Sequence, residues 1–416
     1  MIRPAFLFVT GLSLSLPTQA HYIPGEEPIE VNASLVTTWR SDDLVGQNEY
    51  WQIPGTLMGG HAWSMEKGLA VDEASLALGV RINERTFAVL EVGSHGGGDH
   101  EDGIELQHAY LGYACCDSRG PWVIEVGRMG PAFSPSLAGH AVDRLASESP
   151  LVEDVFYGRD FHDEGVRLWW HETAGWSAGL EIWRGSAYPA NSEGDGAWDV
   201  FARHKWQNGG FQASFGGWYY QGSSSAREDH RYGGGHSHPP VAPPGQSAEA
   251  FPDTRYTGDV DIVGFHGDLG YRLTTDWYLG LKGEFMQMDI DGVVHDEVGR
   301  QAELEADQAG VWVQPYLTWR KHTLGVRAEI LSTDNSLTGP AAPVLATNTG
   351  LQNADEHDPK RYTAVWRYQW RDDIAIRAEL IQDDTLADRD LRWAVGLVWA
   401  GRLWPSSGLT APAHRH

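Results

Sequence analysis

Beyond its first twenty residues the chain has no apolar run approaching the roughly 18 residues of a membrane-spanning helix. A bundle of transmembrane helices is therefore excluded. Cysteine is almost missing. Only Cys115 and Cys116 occur, adjacent in a turn, where a bridge between neighbours would be strained. They read as turn residues without a redox role. Basic residues are scarce, 31 Lys and Arg against 57 Asp and Glu, for a formal net charge of −26. That balance excludes a polyanion such as nucleic acid as partner. It suits an exposed mouth that concentrates cations.

Catalytic signatures are also lacking. No HExxH occurs and no Gly-rich phosphate loop precedes a helix, and neither His171 nor His266 stands in a catalytic motif. No enzyme is expected, and no bound cofactor. Only about ten residues lie between Ala20 and the first strand candidate, too few for the plug domain of an energised transporter.

What the chain does have begins with a positive start at Arg3, an apolar stretch over residues 5–16 and the small-residue site Thr18-Gln19-Ala20. This is the pattern of a secretory signal, with cleavage near Ala20. Losing Arg3 would take the formal charge from −26 to −27. Glycine is plentiful at 49, with 19 Trp and 15 Tyr, yet mean hydropathy is only −0.39. Membrane barrels join alternating polar and apolar residues to aromatic belts, and so look hydrophilic on average.

The alternation is visible strand by strand. Leu76, Leu78, Val80 and Ile82 alternate with Ala77, Gly79 and Arg81, the period-2 signal of a half-buried strand. Seven hairpins follow: 76–82 with 86–94, 105–114 with 122–128, 165–171 with 176–184, 198–206 with 211–221, 262–271 with 277–289, 311–319 with 323–331, and 362–370 with 374–382. Single strands at 31–40 and 391–401 complete a set of sixteen. Long connections at 41–73, 95–103, 129–164, 185–197, 222–260, 290–309 and 332–360, with a shorter one at 383–390, alternate with the short turns. The expected fold is all-β: one transmembrane antiparallel β-barrel of about 16 strands, with long external loops and an inward-folded third loop. The first and last strands pair and remove both edges. Residues 1–20 form the signal, 21–404 the barrel and 405–416 a C-terminal tail. The tight turns should face the periplasm and the long loops the outside.

The inferred lumen face carries Arg81, Arg167, Arg203, Lys205, Lys282, Arg327, Arg367, Arg377 and Arg392 against Glu91, Glu125, Glu181, Asp199, Asp268, Glu284, Glu329 and Glu379. Fixed charges of this kind either line a water-filled pore or pair across strands. The third long loop supplies the constriction candidates Arg144, Arg159, Asp160, His162, Asp163 and Glu164. Its acidic excess should draw cations.

One series of short motifs runs through this region: 109–113 (AYLGY), 125–133 (EVGRMGPAF), 147–151 (SESPL), 158–160 (GRD) and 165–168 (GVRL). In order and spacing it resembles the phosphate-selective porin O/P family. The resemblance implies a sixteen-stranded trimeric outer-membrane porin whose third loop folds inward. Phosphate-selecting members use a lysine cluster, and this third loop contains no Lys, so phosphate selectivity is not implied.

Ten of the 18 histidines fall in the long connections. Two groups have the look of ligands: His95, Asp99, His100 and Asp102, and His230, His236 and His238. Imidazole beside carboxylate suits Zn²⁺. The expectation is thus a passive porin for small ions or solutes in the outer membrane of a Gram-negative bacterium. Beside it stand a zinc-capturing channel with metal on its external loops and a non-conducting surface-binding barrel.

Overall fold

Leu391, Trp393, Val395 and Leu397 point outward, Trp393 half exposed, whereas the alternating Arg392 and Ala394 are buried. The same two-residue period repeats around the whole molecule, because successive side chains of a strand leave opposite faces. The computed structural model describes residues 27–42, 52–63, 65, 67–95, 103–115, 122–191, 196–229, 254–351, 358–386 and 390–404. Sixteen strands follow in chain order: β1 (Ile29–Arg40), β2 (Gly68–Arg81), β3 (Thr86–His95), β4 (Glu105–Cys115), β5 (Trp122–Met129), β6 (Asp163–Thr173), β7 (Trp176–Trp183), β8 (Ala197–Asn208), β9 (Phe211–Glu228), β10 (Thr254–Arg272), β11 (Trp277–Asp296), β12 (Gln301–Trp319), β13 (His322–Thr338), β14 (Lys360–Arg371), β15 (Ile374–Asp384) and β16 (Asp390–Trp404). Each pairs antiparallel with its chain neighbours, and β1 pairs with β16 from Val31 opposite Trp404 to Arg40 opposite Ala394. The ring is closed, so no strand edge is left to aggregate.

Aromatic side chains mark two levels. At the short-turn end Trp277 stacks on Trp319 with ring centroids 5.8 Å apart, and Trp122 lies opposite Trp170 across the β5–β6 pair. At the long-loop end Trp39 meets Trp393 at 4.6 Å. Leu, Val, Ile and Phe fill the outer face between these levels. An apolar band between aromatic girdles on a closed barrel is the outside of a membrane-spanning structure.

Several expected boundaries move. Strands β10 to β13 run 17–20 residues, about twice what a bilayer crossing requires. The expected long connection 290–309 is therefore the extended ends of β11 and β12 around a short turn, with Gly299 N–H donating to Asp296 O at 3.1 Å. Connections 222–260 and 332–360 shorten likewise, the latter holding the helix α2 (Ala342–Thr349). Sequence alternation missed these ends because above the girdle the outward residues are acidic: Asp261, Asp289, Asp307 and Asp334 lie side by side across four strands.

The interior is not uniformly polar. One contiguous apolar cluster lies inside the barrel. It joins Ile53 and Met58 of the first loop, Phe133, Tyr157 and Phe161 of the third, Leu345 of α2, and inward wall residues such as Trp218, Met286, Trp312 and Leu331. Burying aromatic and aliphatic groups there is what makes the loops fold inward.

Candidate functional site: the third loop and the charged wall

The third loop, residues 130–162, crosses the lumen between β5 and β6 and is gripped by wall residues at several points. On the β13–β16 side Glu148 accepts from Arg361 Nη1 at 2.8 Å and from Arg392 Nη2 at 3.1 Å. Arg327 donates to the Glu148 carbonyl at 2.9 Å, and Glu329 accepts from the Leu151 N–H at 2.7 Å. That last bond caps the start of the six-residue helix α1 (Leu151–Phe156). Glu379 accepts from the N–H and the hydroxyl of Ser147, both at 2.8 Å. Across the lumen Glu181 accepts from the Ala132 N–H at 3.0 Å and Glu284 from the Ser134 hydroxyl at 3.2 Å. Near β2, Glu73 accepts from the Ala141 N–H at 2.8 Å.

This arrangement corrects the expected roles. Glu125, Arg167, Glu181, Arg327, Glu329 and Arg377 are on the inward face, but they are buried rather than water-lining. Arg167 bridges Glu125 at 2.9 Å and also pairs with Glu181, and Arg377 pairs with Glu379 at 2.7 Å. Arg203 is almost as buried and donates to the Ala132 carbonyl. Of the expected inward set Arg81, Asp268, Lys282 and Arg367 stay half-buried and Lys205 is exposed. The reason is energetic: a loop laid across a polar wall leaves its backbone groups without water, and the wall charges replace that water as hydrogen-bond partners.

The constriction set moves too. Asp163 and Glu164 belong to β6, not to the loop. Glu164 points outward and pairs with Arg128 at 3.2 Å, while Asp163 is buried and accepts from the Gly185 N–H at 2.8 Å. Arg159 is buried against Asp154 at 2.8 Å. Asp160 and His162 stay partly accessible, 2.8 Å apart. The partly exposed charges at the loop's inner turn are instead His140, Asp143 and Arg144, with Lys282 and Arg367 on the wall. Arg367 Nη1 donates to the Val142 and Arg144 carbonyls, each at 3.4 Å. Of these five, Arg144, Lys282 and Arg367 were among the residues expected to face the lumen or the constriction.

The electrostatics of the loop follow from its partners. Burial pushes the Glu148 carboxyl up, but Arg392 and Arg361 outweigh it and hold the group at about 2. For Asp143 burial wins over the pull of His140, and of Arg367 and Lys282 beyond it, leaving the group at about 6. Burial also opposes charge on His140, yet Glu91 and Glu73 keep it protonated well above the usual imidazole range.

Arg40, Asp72, Glu73, Arg361 and Asp383 were missed as inward charges, although all are buried there. Each sits near a strand end that the apolar alternation does not reach, and Asp72 and Glu73 share a bulge that turns both inward. Of the expected external metal ligands, Asp99, His100, Asp102, His230, His236 and His238 lie outside the described residues, and His95 ends β3. Cys116 also lies outside them.

No family model matches the chain, and no curated protein matches it. Solved structures similar to it include a loop-deletion form of OmpT, an outer membrane protein of Vibrio cholerae, at 13% identity and a TM-score of 0.49, covering 89% of this chain and 98% of that one. The outer membrane channel DcaP of Acinetobacter baumannii is similar at 12% identity and a TM-score of 0.48, covering 89% and 96%. An anion-selective porin from Comamonas acidovorans stands at 10% and 0.44, covering 89% and 98%. The fold assignment rests on the closed strand order itself.

Proposed function

We propose that the protein is a porin of a Gram-negative outer membrane, admitting small ions or solutes by passive diffusion. The observation that carries this reading is the inward third loop, tied by Glu148, Ser147, Ala132 and Ala141 to opposite sides of a membrane-spanning barrel. A loop so fixed narrows a lumen without filling it by mobile chain, and it sets charges at the narrowing. Those charges are Asp143 with His140, Arg144, Lys282 and Arg367. The same proposal includes export by a signal ending near Ala20, a barrel surrounded by outer-membrane lipid, tight turns toward the periplasm, and a homotrimer. The trimer is carried by the motif resemblance alone. No phosphate specificity is proposed, because the third loop offers no lysine.

Planar-bilayer recording tests the reading. Purified, refolded protein should give stepwise, water-filled conductance increments. Complete absence of conductance from correctly folded barrels would favour the surface-binding barrel.

A further inference from the structure

Four histidines and four carboxylates form a continuous track along the β2–β4 side of the lumen, beginning at the long-loop mouth. Its outer end is His61 of the first loop, Glu105 at the start of β4 and Asp160 of the third loop. One ligand atom from each lies within 4.8 Å of the other two, and His61 Nδ1 stands 4.0 Å from Glu105 Oε1. Asp160 Oδ1 is 2.8 Å from His162 Nδ1. His162 then faces His108, with ring centroids 5.0 Å apart. The Nε2 atoms of both rings border the space that a Cβ on Gly130 would occupy, at 3.4 and 3.3 Å from it. His108 Nδ1 is held by Glu91 at 2.9 Å. Glu91 in turn contacts His140 at 3.5 Å, and His140 contacts Glu73 at 3.4 Å.

The geometry points to a binding site for a divalent transition-metal ion of the Zn²⁺ class, with His61, Glu105 and Asp160 as ligands and His162 and His108 as an adjoining inner station. Two features carry this. First, imidazole with carboxylate is the donor set of Zn²⁺, Cu²⁺ and Ni²⁺, whereas Ca²⁺ and Mg²⁺ take oxygen alone. Second, each inner histidine has Nδ1 on a carboxylate and Nε2 turned to the same gap. That is how metal-binding histidines are fixed in tautomer and orientation.

The spacing is close to that of a bound ion. Tetrahedral ligation at about 2.0–2.2 Å sets donors roughly 3.3–3.6 Å apart. The outer three need to close by at most about 1.5 Å, and the His61 and Glu105 side chains, 31% and 38% exposed, have room to do so. Their backbones are already placed. His61 N–H donates to Gly158 O at 2.8 Å, and Glu105 pairs with Gly93 in the β3–β4 ladder. A metal ion would take three protein ligands and keep a fourth position for water, an open site that can release its ion inward. Metal binding here is independent of whether the barrel conducts, so it stands or falls apart from the porin reading.

Isothermal titration of the refolded full-length barrel in detergent with ZnCl₂, and with CaCl₂ as control, tests the site. Wild type should bind Zn²⁺ with at least a tenfold preference over Ca²⁺. His61→Gln combined with His162→Gln should weaken Zn²⁺ by about tenfold or more, the scale of losing ligands or their supports. With Co²⁺ as probe, the intense visible bands of a four-coordinate site should appear in wild type and fade in the variant. The heat-dependent gel shift of folded barrels checks that the variant folds. Should the double variant fail to fold, His61→Gln alone, at the accessible mouth, gives the same readout. A competing arm replaces His95, His100, His236 and His238 by Ala. If that change removes the binding while His61→Gln does not, the external loops hold the metal and the lumenal site is overturned. Absence of Zn²⁺ binding in wild type overturns it as well.

Discussion

His61 of the first loop and Gly158 of the third are joined by a backbone hydrogen bond of 2.8 Å. The two segments touch where neither carries a side chain: a Cβ on Gly158 would come 2.7 Å from the Gly59 carbonyl oxygen and 2.8 Å from the Gly60 Cα. Gly158 also has φ +63°, in the left-handed region. This one contact decides that His61 and Asp160, far apart in sequence, share the mouth of the lumen.

Gly158→Ala should therefore separate the two loops. The expected cost is about 1–3 kcal/mol, combining strain at positive φ with a backbone clash. Limited proteolysis should show faster cleavage within residues 52–63 while the barrel itself keeps its strand signal. Unchanged cleavage would mean that the contact contributes nothing to loop order.

Glu148→Gln should loosen the third loop by about 1–3 kcal/mol, since Arg361 keeps Glu329 and Arg392 keeps Asp383 as remaining partners. The pH sign is fixed by the lowered value. Glu148 sits at about 2 in the folded protein, below its ordinary 4.5. Its stabilisation is thus full above 4.5 and is lost as pH falls from there toward 2. Hydrogen exchange of residues 145–151 should be faster in the variant at pH 7, and the gap should close toward pH 2. A gap that is constant with pH would remove Glu148 as the anchor.

Asp143 governs how the narrowing responds to pH. With its carboxyl at about 6, it is ionised at pH 7 and neutral well below 6, so acidification strips one negative charge from beside Lys282 and Arg367. Reversal potentials in a salt gradient should move toward anion preference as pH drops. Asp143→Asn should resemble acidified wild type at pH 7, and the two proteins should converge well below pH 6. Parallel curves at all pH values would place Asp143 away from the ion path.

Leu397 is at the middle of β16 and points outward between the girdles. Leu397→Arg should destabilise the barrel by about 2–4 kcal/mol in a bilayer, the cost of a cation on the lipid face. Urea unfolding in lipid vesicles measures it. A change below about 1 kcal/mol would place this face against something other than hydrocarbon.

Sixteen strands, their antiparallel order and which residues face outward were legible in the chain, and for a physical reason. A strand bathed in lipid on one side must alternate apolar and small or polar residues along its own length, so Leu391, Trp393 and Val395 announce β16 without reference to any other part. The extra turns of β10 to β13 were not legible, because above the girdle both faces depart from that rule. Asp261, Asp289, Asp307 and Asp334 face outward there, and Met286, Met288 and Leu304 face in.

The site divides along the same line. That Arg167, Arg327, Arg377 and Glu329 face inward follows from local alternation alone. That Arg167, Arg327 and Glu329 hold the third loop in place of facing open water follows from what the loop brings to them: the Gly130 carbonyl, the Glu148 carbonyl and the Leu151 N–H. A charge on a strand records its own face but not what lies opposite, since its partners come from distant segments, 244 positions away in the case of Glu148 and Arg392. The sequence by itself determined the barrel and its two faces. Only the tertiary structure decided which charges are anchors, which five stay partly exposed at the inner turn of the third loop, and that His61, Glu105 and Asp160 meet, because each of those outcomes depends on where inward-folded loops come to rest.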